Sequence, residues 1–280
     1  MEVVTAEVAG MCFGVRDALA ALAEIDHPER VTIFGELVHN PIVSDRLARR
    51  GFVTTGENDR ERLPETDIVL ITAHGVSDRE RNRLRSAGKT LVDTTCPLVV
   101  NAHRAAIALR DRGFHLLVVG RPGHVEVRGI VEDLPSFDVI ERVEDVQTYP
   151  HYKLGIICQT TARASDVAAI RTAVAERNPS AEIEFVDTVC RPTKEHQRSL
   201  ENLLTRVDAM VVVGGPNSNN TRELVKLCEE RGVRAIRVQS AAELDPEWFQ
   251  GARLVGLTAG TSTLDETIAE VREALQSINM

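Results

Sequence analysis

The sequence predicts an α/β protein of three similar lobes, each with a mostly parallel sheet, arranged with pseudo-threefold symmetry. Two observations carry this. Short apolar, β-branched runs alternate with longer stretches of helical period along the chain, the pattern of parallel strands joined by crossover helices. A cysteine also follows a strand candidate and opens a helix candidate three times, at Cys12, Cys96 and Cys190, a repeat of roughly ninety residues.

Taken in order, VVTAEVA (3–9) is a strand, and VRDALAALAEI (15–25) has apolar residues at helical spacing. VTIF (31–34) and DIVLIT (67–72) are strands apolar on both faces, as a covered parallel sheet requires. DRERNRLRSAG (78–88) is a helix closed by a glycine. TLVD (90–93) leads to the helix VVNAHRAAIALRDRG (99–113), followed by the strands HLLVVG (115–120), FDVI (137–140) and KLGIIC (153–158). The helix ARASDVAAIRTAVAERN (162–178), the strand EIEFVD (182–187) and the helix TKEHQRSLENLLTRV (193–207) come next. AMVVVGG (209–215), NTRELVKLCEERG (220–232), RAIRV (234–238), RLVGLT (253–258) and LDETIAEVREALQSI (264–278) complete the alternation. The repeat divides the chain into lobes over 1–95 with Cys12, 96–189 with Cys96 and 190–280 with Cys190.

Lys and Arg number 33 against 42 Asp and Glu, a formal net charge of −9 with no basic stripe, which argues against a nucleic-acid partner. No apolar run is long enough to span a bilayer and MEVVTAEVAG does not resemble a signal peptide, so a cytoplasmic protein is expected. Five widely spaced cysteines in such a chain point to metal binding or catalysis rather than disulfides.

LVDTTC (91–96) and EFVDTVC (184–190) share Asp-Thr-x-Cys at the end of a strand. Asp93 and Asp187 are expected to fix each turn by accepting from backbone N–H groups near the cysteine. At the carboxyl end of a parallel strand and the start of a helix, a thiol meets unpaired N–H groups that favour the thiolate. Three such thiolates about a pseudo-threefold axis hold either zinc or an iron–sulfur cluster. Zinc sites usually carry two ligands a few residues apart, a spacing missing around these cysteines, so a central iron–sulfur cluster is favoured. A [4Fe-4S] cluster with three protein thiolates leaves one iron open, suited to removing a hydroxyl group. Cys158, inside a strand, and Cys228, on the apolar side of a helix, are expected to be core thiols.

His39, His74 and His124 each follow a strand at the same edge as the cysteines, and Glu126 lies two residues past His124. Imidazole can donate to phosphate or move protons, and a buried carboxyl can relay them. His27, His103, His115, His151 and His196 have no repeated context and are expected to be ordinary surface or core residues. GGPNSNNTREL places Ser218, Asn219, Asn220 and Thr221 at a helix start, and GLTAGTSTLDE places Thr261, Ser262 and Thr263 at another. Thr263 with Glu266 has the spacing of a capping box. The surplus of hydroxyls and amides beside glycines suggests an anion pocket, to which Thr160 could add a hydroxyl.

GMCFGVRDAL, GELVHNPIV, AHGVS, DTTCPLV, GHVEVRG, QTT, DTVC, NSNNT and TAGTS resemble, in order and spacing, the motifs of the 4-hydroxy-3-methylbut-2-enyl diphosphate reductases, the LytB family. The resemblance implies three α/β lobes around a central iron–sulfur cluster. It implies two-electron reductive dehydroxylation of (E)-4-hydroxy-3-methylbut-2-enyl diphosphate to isopentenyl and dimethylallyl diphosphate, the last step of the non-mevalonate (MEP) isoprenoid pathway. A donor such as ferredoxin or flavodoxin would supply the electrons. Cys12, Cys96 and Cys190 would ligate the cluster. His39, His74, His124, Ser218, Asn219, Asn220 and Ser262 would hold the diphosphate. Glu126, with His124, would handle protons, and Thr160 would lie by the substrate hydroxyl. Where many members read His-Pro-Glu-Val, this chain has His124-Val125-Glu126-Val127; where relatives often have Ser-Ser-Asn, it has Ser218-Asn219-Asn220; and Arg191-Pro192-Thr193 follows Cys190. The runner-up function is a redox-neutral iron–sulfur dehydratase or condensing enzyme of the quinolinate-synthase type, which would need no reductant.

Overall fold

The computed structural model describes residues 1–57 and 59–278. Among them are three four-stranded sheets, parallel throughout. The first sheet joins β2 (Val31–Phe34), β3 (Val53–Thr55), β4 (Ile68–Ile71) and β5 (Thr90–Asp93) in the order β3-β2-β4-β5. The second joins β6 (His115–Val119), β7 (Phe137–Ile140), β8 (Lys153–Cys158) and β9 (Glu182–Phe185) in the order β7-β6-β8-β9. The third joins β10 (Ala209–Val213), β11 (Arg234–Val238), β12 (Leu254–Ala259) and β1 (Glu2–Thr5) in the order β11-β10-β12-β1.

The three orders are the same once β1 is counted as the last strand of the third sheet. This corrects the expected lobe over 1–95, because Glu2 to Thr5 pair with Leu254 to Leu257 and not with β2. The sequence repeat is one strand out of phase with the sheets: each copy opens on the strand that finishes one sheet and continues into a helix after the cysteine. Thus β5 leads through Cys96 to α4 (Pro97–Asp111), which packs on β6 and β8 of the second sheet. Likewise β9 leads through Cys190 to α7 (Arg191–Leu204), which packs on β12 of the third. β1 leads through Cys12 to α1 (Phe13–Ala23).

Two compact units result. One comprises Met1–Arg16, His39–Ile42 and the chain from Arg191 onward, with the third sheet; the other comprises Asp17–Val38 and Val43–Cys190, with the first two. In the former, alternate residues of β10 feed two cores, as the strand's period of two demands. Val211 and Val213 meet Val271 and Leu275 of α9 (Asp265–Ser277). Met210 and Val212 meet Leu200 and Leu203 of α7 and Leu224 of α8 (Asn219–Glu230). In the latter, Leu117 and Val119 of β6 meet Ile170 and Val174 of α6 (Ala164–Arg177). Leu116 and Val118 meet Ala102 and Leu109 of α4 and Val127 and Ile130 of α5 (Val125–Val131). Each fully buried large apolar side chain contributes about 1.5–3 kcal/mol.

α2 (Pro41–Arg49), α3 (Asp78–Ser86) and the short β3 complete the elements named here. β3, α2 and α5 were not legible in the sequence as elements. Cys158 and Cys228 are core thiols as expected, each fully buried, and burial pushes the Cys228 thiol up to about 12. No described helix is long and apolar enough to cross a membrane.

Candidate functional site

All three cysteine turns share one backbone device. The Cys96 N–H donates to the Ala73 carbonyl after β4 at 3.1 Å, Cys190 to Thr160 after β8 at 2.9 Å, and Cys12 to Thr261 after β12 at 3.0 Å. The turn after an outer strand is pinned each time to the loop beyond its neighbour, at the carboxyl end of a parallel sheet. The aspartates behave as expected: Asp93 Oδ1 accepts from the Thr95 N–H at 3.0 Å and Asp187 Oδ1 from the Val189 N–H at 3.2 Å. The threonines of the phrase reach the next strand, Thr94 Oγ1 donating to the Ile71 carbonyl at 2.6 Å and Thr188 Oγ1 to that of Cys158.

Cys12 lacks the Asp-Thr pair. Gly10 takes its place with φ +83°, a left-handed conformation that glycine adopts without strain and L side chains rarely adopt. The buried His196 holds this turn, its ring nitrogens 2.8 Å from the Pro192 carbonyl and 2.9 Å from that of Gly10. Burial raises the Cys12 thiol pKa, although N–H groups of Val15 and Gly14 at the start of α1 and the Arg16 charge act in the opposite direction. A metal bound there displaces a thiol proton.

In the unit holding Cys96 and Cys190, Glu126 is 2 % exposed. Its carboxylate accepts from the Thr160 N–H at 2.6 Å and from Thr160 Oγ1 at 3.0 Å. Thr160 therefore joins the carboxylate to the Cys190 turn, whose N–H its carbonyl accepts. His124 caps α5: its Nδ1 accepts from the Glu126 N–H at 3.1 Å, which places a neutral ring's proton on Nε2. The His74 ring lies edge-on to it, centroids 5.9 Å apart. These four predicted residues are thus brought together.

In the unit holding Cys12, the predicted neutral donors gather around α8. Ser218 is its N-cap, accepting from the Thr221 N–H at 3.3 Å. Asn220 Oδ1 accepts from the Thr261 N–H at 3.0 Å, while its buried Nδ2 has no hydrogen-bond partner, a donor left over for a ligand. Asn219 and Ser262 are 5 % and 7 % exposed. His39 is drawn in by a residue that sequence reading missed: Asn40 Nδ2 donates to the Ser262 carbonyl at 2.7 Å and Asn40 Oδ1 caps the Ile42 N–H at 3.0 Å. The Asn-Pro step after His39 was its only signal. The backbone comes so close here that a Cβ on Gly215 would lie 2.5 Å from the His39 carbonyl oxygen. The expected capping box fails, because Thr263 Oγ1 donates to the Val213 carbonyl at 2.9 Å and Leu264 is the N-cap of α9.

Among the described residues no three His, Cys, Asp or Glu side chains are grouped to hold a single metal ion. Each of the three expected cluster ligands is a partly exposed cysteine outside any disulfide, preceding a helix of eleven or more residues and held in a pinned turn, chemistry that fits thiolate ligation of an iron–sulfur cluster.

The LytB protein family profile matches residues 3–276. A 4-hydroxy-3-methylbut-2-enyl diphosphate reductase of Aquifex aeolicus is 34 % identical, with 99 % of this chain and 97 % of that protein covered. One of an Anaeromyxobacter species is 35 % identical, covering 100 % and 98 %. Among solved structures, the E-1-hydroxy-2-methyl-but-2-enyl-4-diphosphate reductase of Plasmodium falciparum superposes with a TM-score of 0.89 at 25 % identity, covering 99 % of this chain and 88 % of that one. A second, described as (E)-4-hydroxy-3-methyl-but-2-enyl diphosphate reductase, the terminal enzyme of the non-mevalonate pathway, gives 0.66 at 33 % identity and 99 % coverage of both.

Proposed function

The chain belongs to the LytB family, and from that premise we propose that it reduces (E)-4-hydroxy-3-methylbut-2-enyl diphosphate to isopentenyl and dimethylallyl diphosphate, the terminal step of the non-mevalonate pathway. The observation that carries the reading is likeness over nearly the full length of relatives so named. The reaction consumes two electrons and two protons: the C–O bond breaks, the hydroxyl leaves as water, and one proton ends on carbon. Cys12, Cys96 and Cys190 would hold the [4Fe-4S] cluster, which supplies electrons and a Lewis-acidic iron.

The remaining work falls to the chain's own residues. Ser218, Asn219, Asn220 and Ser262 hold the diphosphate through neutral donors, with His39 beside them and the N-terminus of α8 adding its dipole. His74 and His124 add imidazole donors, His124 through Nε2–H. Glu126 holds and delivers a proton at its carboxyl oxygens, and Thr160, bonded to both, orients that carboxyl and faces its hydroxyl to the substrate's. A ferredoxin- or flavodoxin-class protein in the cytoplasm supplies the electrons.

The test is anaerobic. Protein purified without oxygen should be brown, carry about four irons per chain, and convert the substrate only when a strong reductant is present. Colourless protein with stoichiometric zinc would overturn the reading, and turnover without reductant would favour the redox-neutral alternative.

A further inference from the structure

Arg81, on α3, has a side chain only 13 % exposed and spends its guanidinium on the Cys96 turn. Its Nε donates to Asp93 Oδ2 at 3.0 Å, one terminal nitrogen to Thr95 Oγ1 at 3.1 Å, and the other to the Val76 carbonyl. Asp93 and Thr95 are the two residues that shape this turn, since Asp93 Oδ1 also accepts from both the N–H and the hydroxyl of Thr95. Cys96 follows directly. The cation is therefore anchored on residues one and three positions before a proposed cluster ligand and is more deeply buried than either carboxylate it pairs with: Asp93 is 40 % exposed, and Asp78, 3.6 Å away, is 76 % exposed.

The turn at Cys12 also has an arginine, but a different one in kind. Arg16 Nε donates to the Met11 carbonyl at 3.2 Å while its terminal nitrogens pair with Asp265, and its side chain is 51 % exposed. Water and salt screen a charge so placed. Arg81 is the less screened of the two.

We propose that Arg81 is a positioning residue that tunes the reduction potential of the cluster through the Cys96 turn. This rests on the assignment of Cys96 as a cluster ligand. Uptake of an electron from the donor adds one negative charge to the cluster, and a nearby buried cation stabilises that reduced form more than the oxidised one. Arg81 raises the potential, Asp93 lowers it, and the rigid fork of hydrogen bonds fixes the distance of both charges from the sulfur.

The experiment is a redox titration of anaerobic holoenzyme, followed by visible absorption and electron paramagnetic resonance, with iron counted first. Arg81→Gln should retain its iron and titrate at a more negative potential, while Arg81→Lys stays nearer the parent protein. Asp93→Asn, which keeps an acceptor for the Thr95 N–H, should shift the potential upward. The double variant should return toward the parent value, and Arg16→Gln should shift less than Arg81→Gln. A merely structural role would loosen the turn in both single variants and move them the same way. Same-direction shifts, or no shift with iron retained, overturn the proposal. If Arg81→Gln fails to load iron, Asp93→Asn decides alone: a rise supports the proposal and its absence overturns it. A parent protein without a cluster overturns the ligand assignment itself, which the iron count reveals before any potential is measured.

Discussion

The two compact units meet the demands of the proposed chemistry with different residue types. Around Cys12, the candidate binding residues Ser218, Asn219, Asn220 and Ser262 are neutral hydroxyls and amides, all nearly buried. Around Cys96 and Cys190, the residues brought together are titratable: Glu126 on Thr160, with His124 and His74 beside them. Neutral donors bind an anion without changing charge between pH 5 and 8, whereas a carboxyl and imidazoles can pass protons. In the proposed reading the neutral groups only bind the diphosphate, with His39, His74 and His124 adding imidazole donors, and proton delivery is left to Glu126.

That division is exposed to a direct challenge at Glu126. Glu126→Gln keeps the size and an acceptor for Thr160 but cannot carry the proton, so kcat should fall about 100-fold with little change in KM. Steady-state kinetics on cluster-loaded protein checks this, and an effect mainly on KM would break the division.

A second test concerns stability on the titratable side. Burial, reinforced by the Arg81 charge, holds the His103 pKa down at about 4 against 6.5 in a model peptide. Above pH 6.5 the ring is neutral whether the chain is folded or not. Between 6.5 and about 4 the unfolded chain takes up a proton that the folded one refuses, so stability falls as pH falls. The loss saturates below about pH 4, at roughly 3 kcal/mol. His103→Asn should flatten this acid arm in denaturant titrations at a series of pH values.

The smallest effect is expected on the neutral side. Asn220→Asp preserves the acceptor for the Thr261 N–H and replaces the unpaired donor by a carboxylate oxygen. KM should rise about 10-fold or more, with kcat and its pH profile nearly unchanged. A shifted pH profile would mean that this side, too, takes part in proton transfer.

Much of this was legible in the sequence, for identifiable reasons. Strands such as HLLVVG and AMVVVGG were readable because a parallel strand covered on both faces is apolar throughout. The roles of Asp93 and Asp187 were readable because their turns close within two residues. The pairing of β1 with β12 was not, since nothing in a four-residue strand specifies a partner some 250 positions away. His196 and Asn40 were passed over for the same reason: each works through a carbonyl far along the chain, Gly10 and Ser262. Thr263 misled because capping chemistry is local, while its hydroxyl is taken by Val213 on a neighbouring strand. The anchors of the site that went unread are the ones whose partners are remote.

The one-strand offset of the repeat bears on biosynthesis. The strand that leads to Cys12 is made some 250 residues before its partner β12. The first and second sheets can close before β12 is made; the third cannot. The Cys12 turn, pinned to Thr261, takes shape only once that residue has been made, so a cluster that needs all three proposed ligands would be inserted after the strands of the first two sheets are already available.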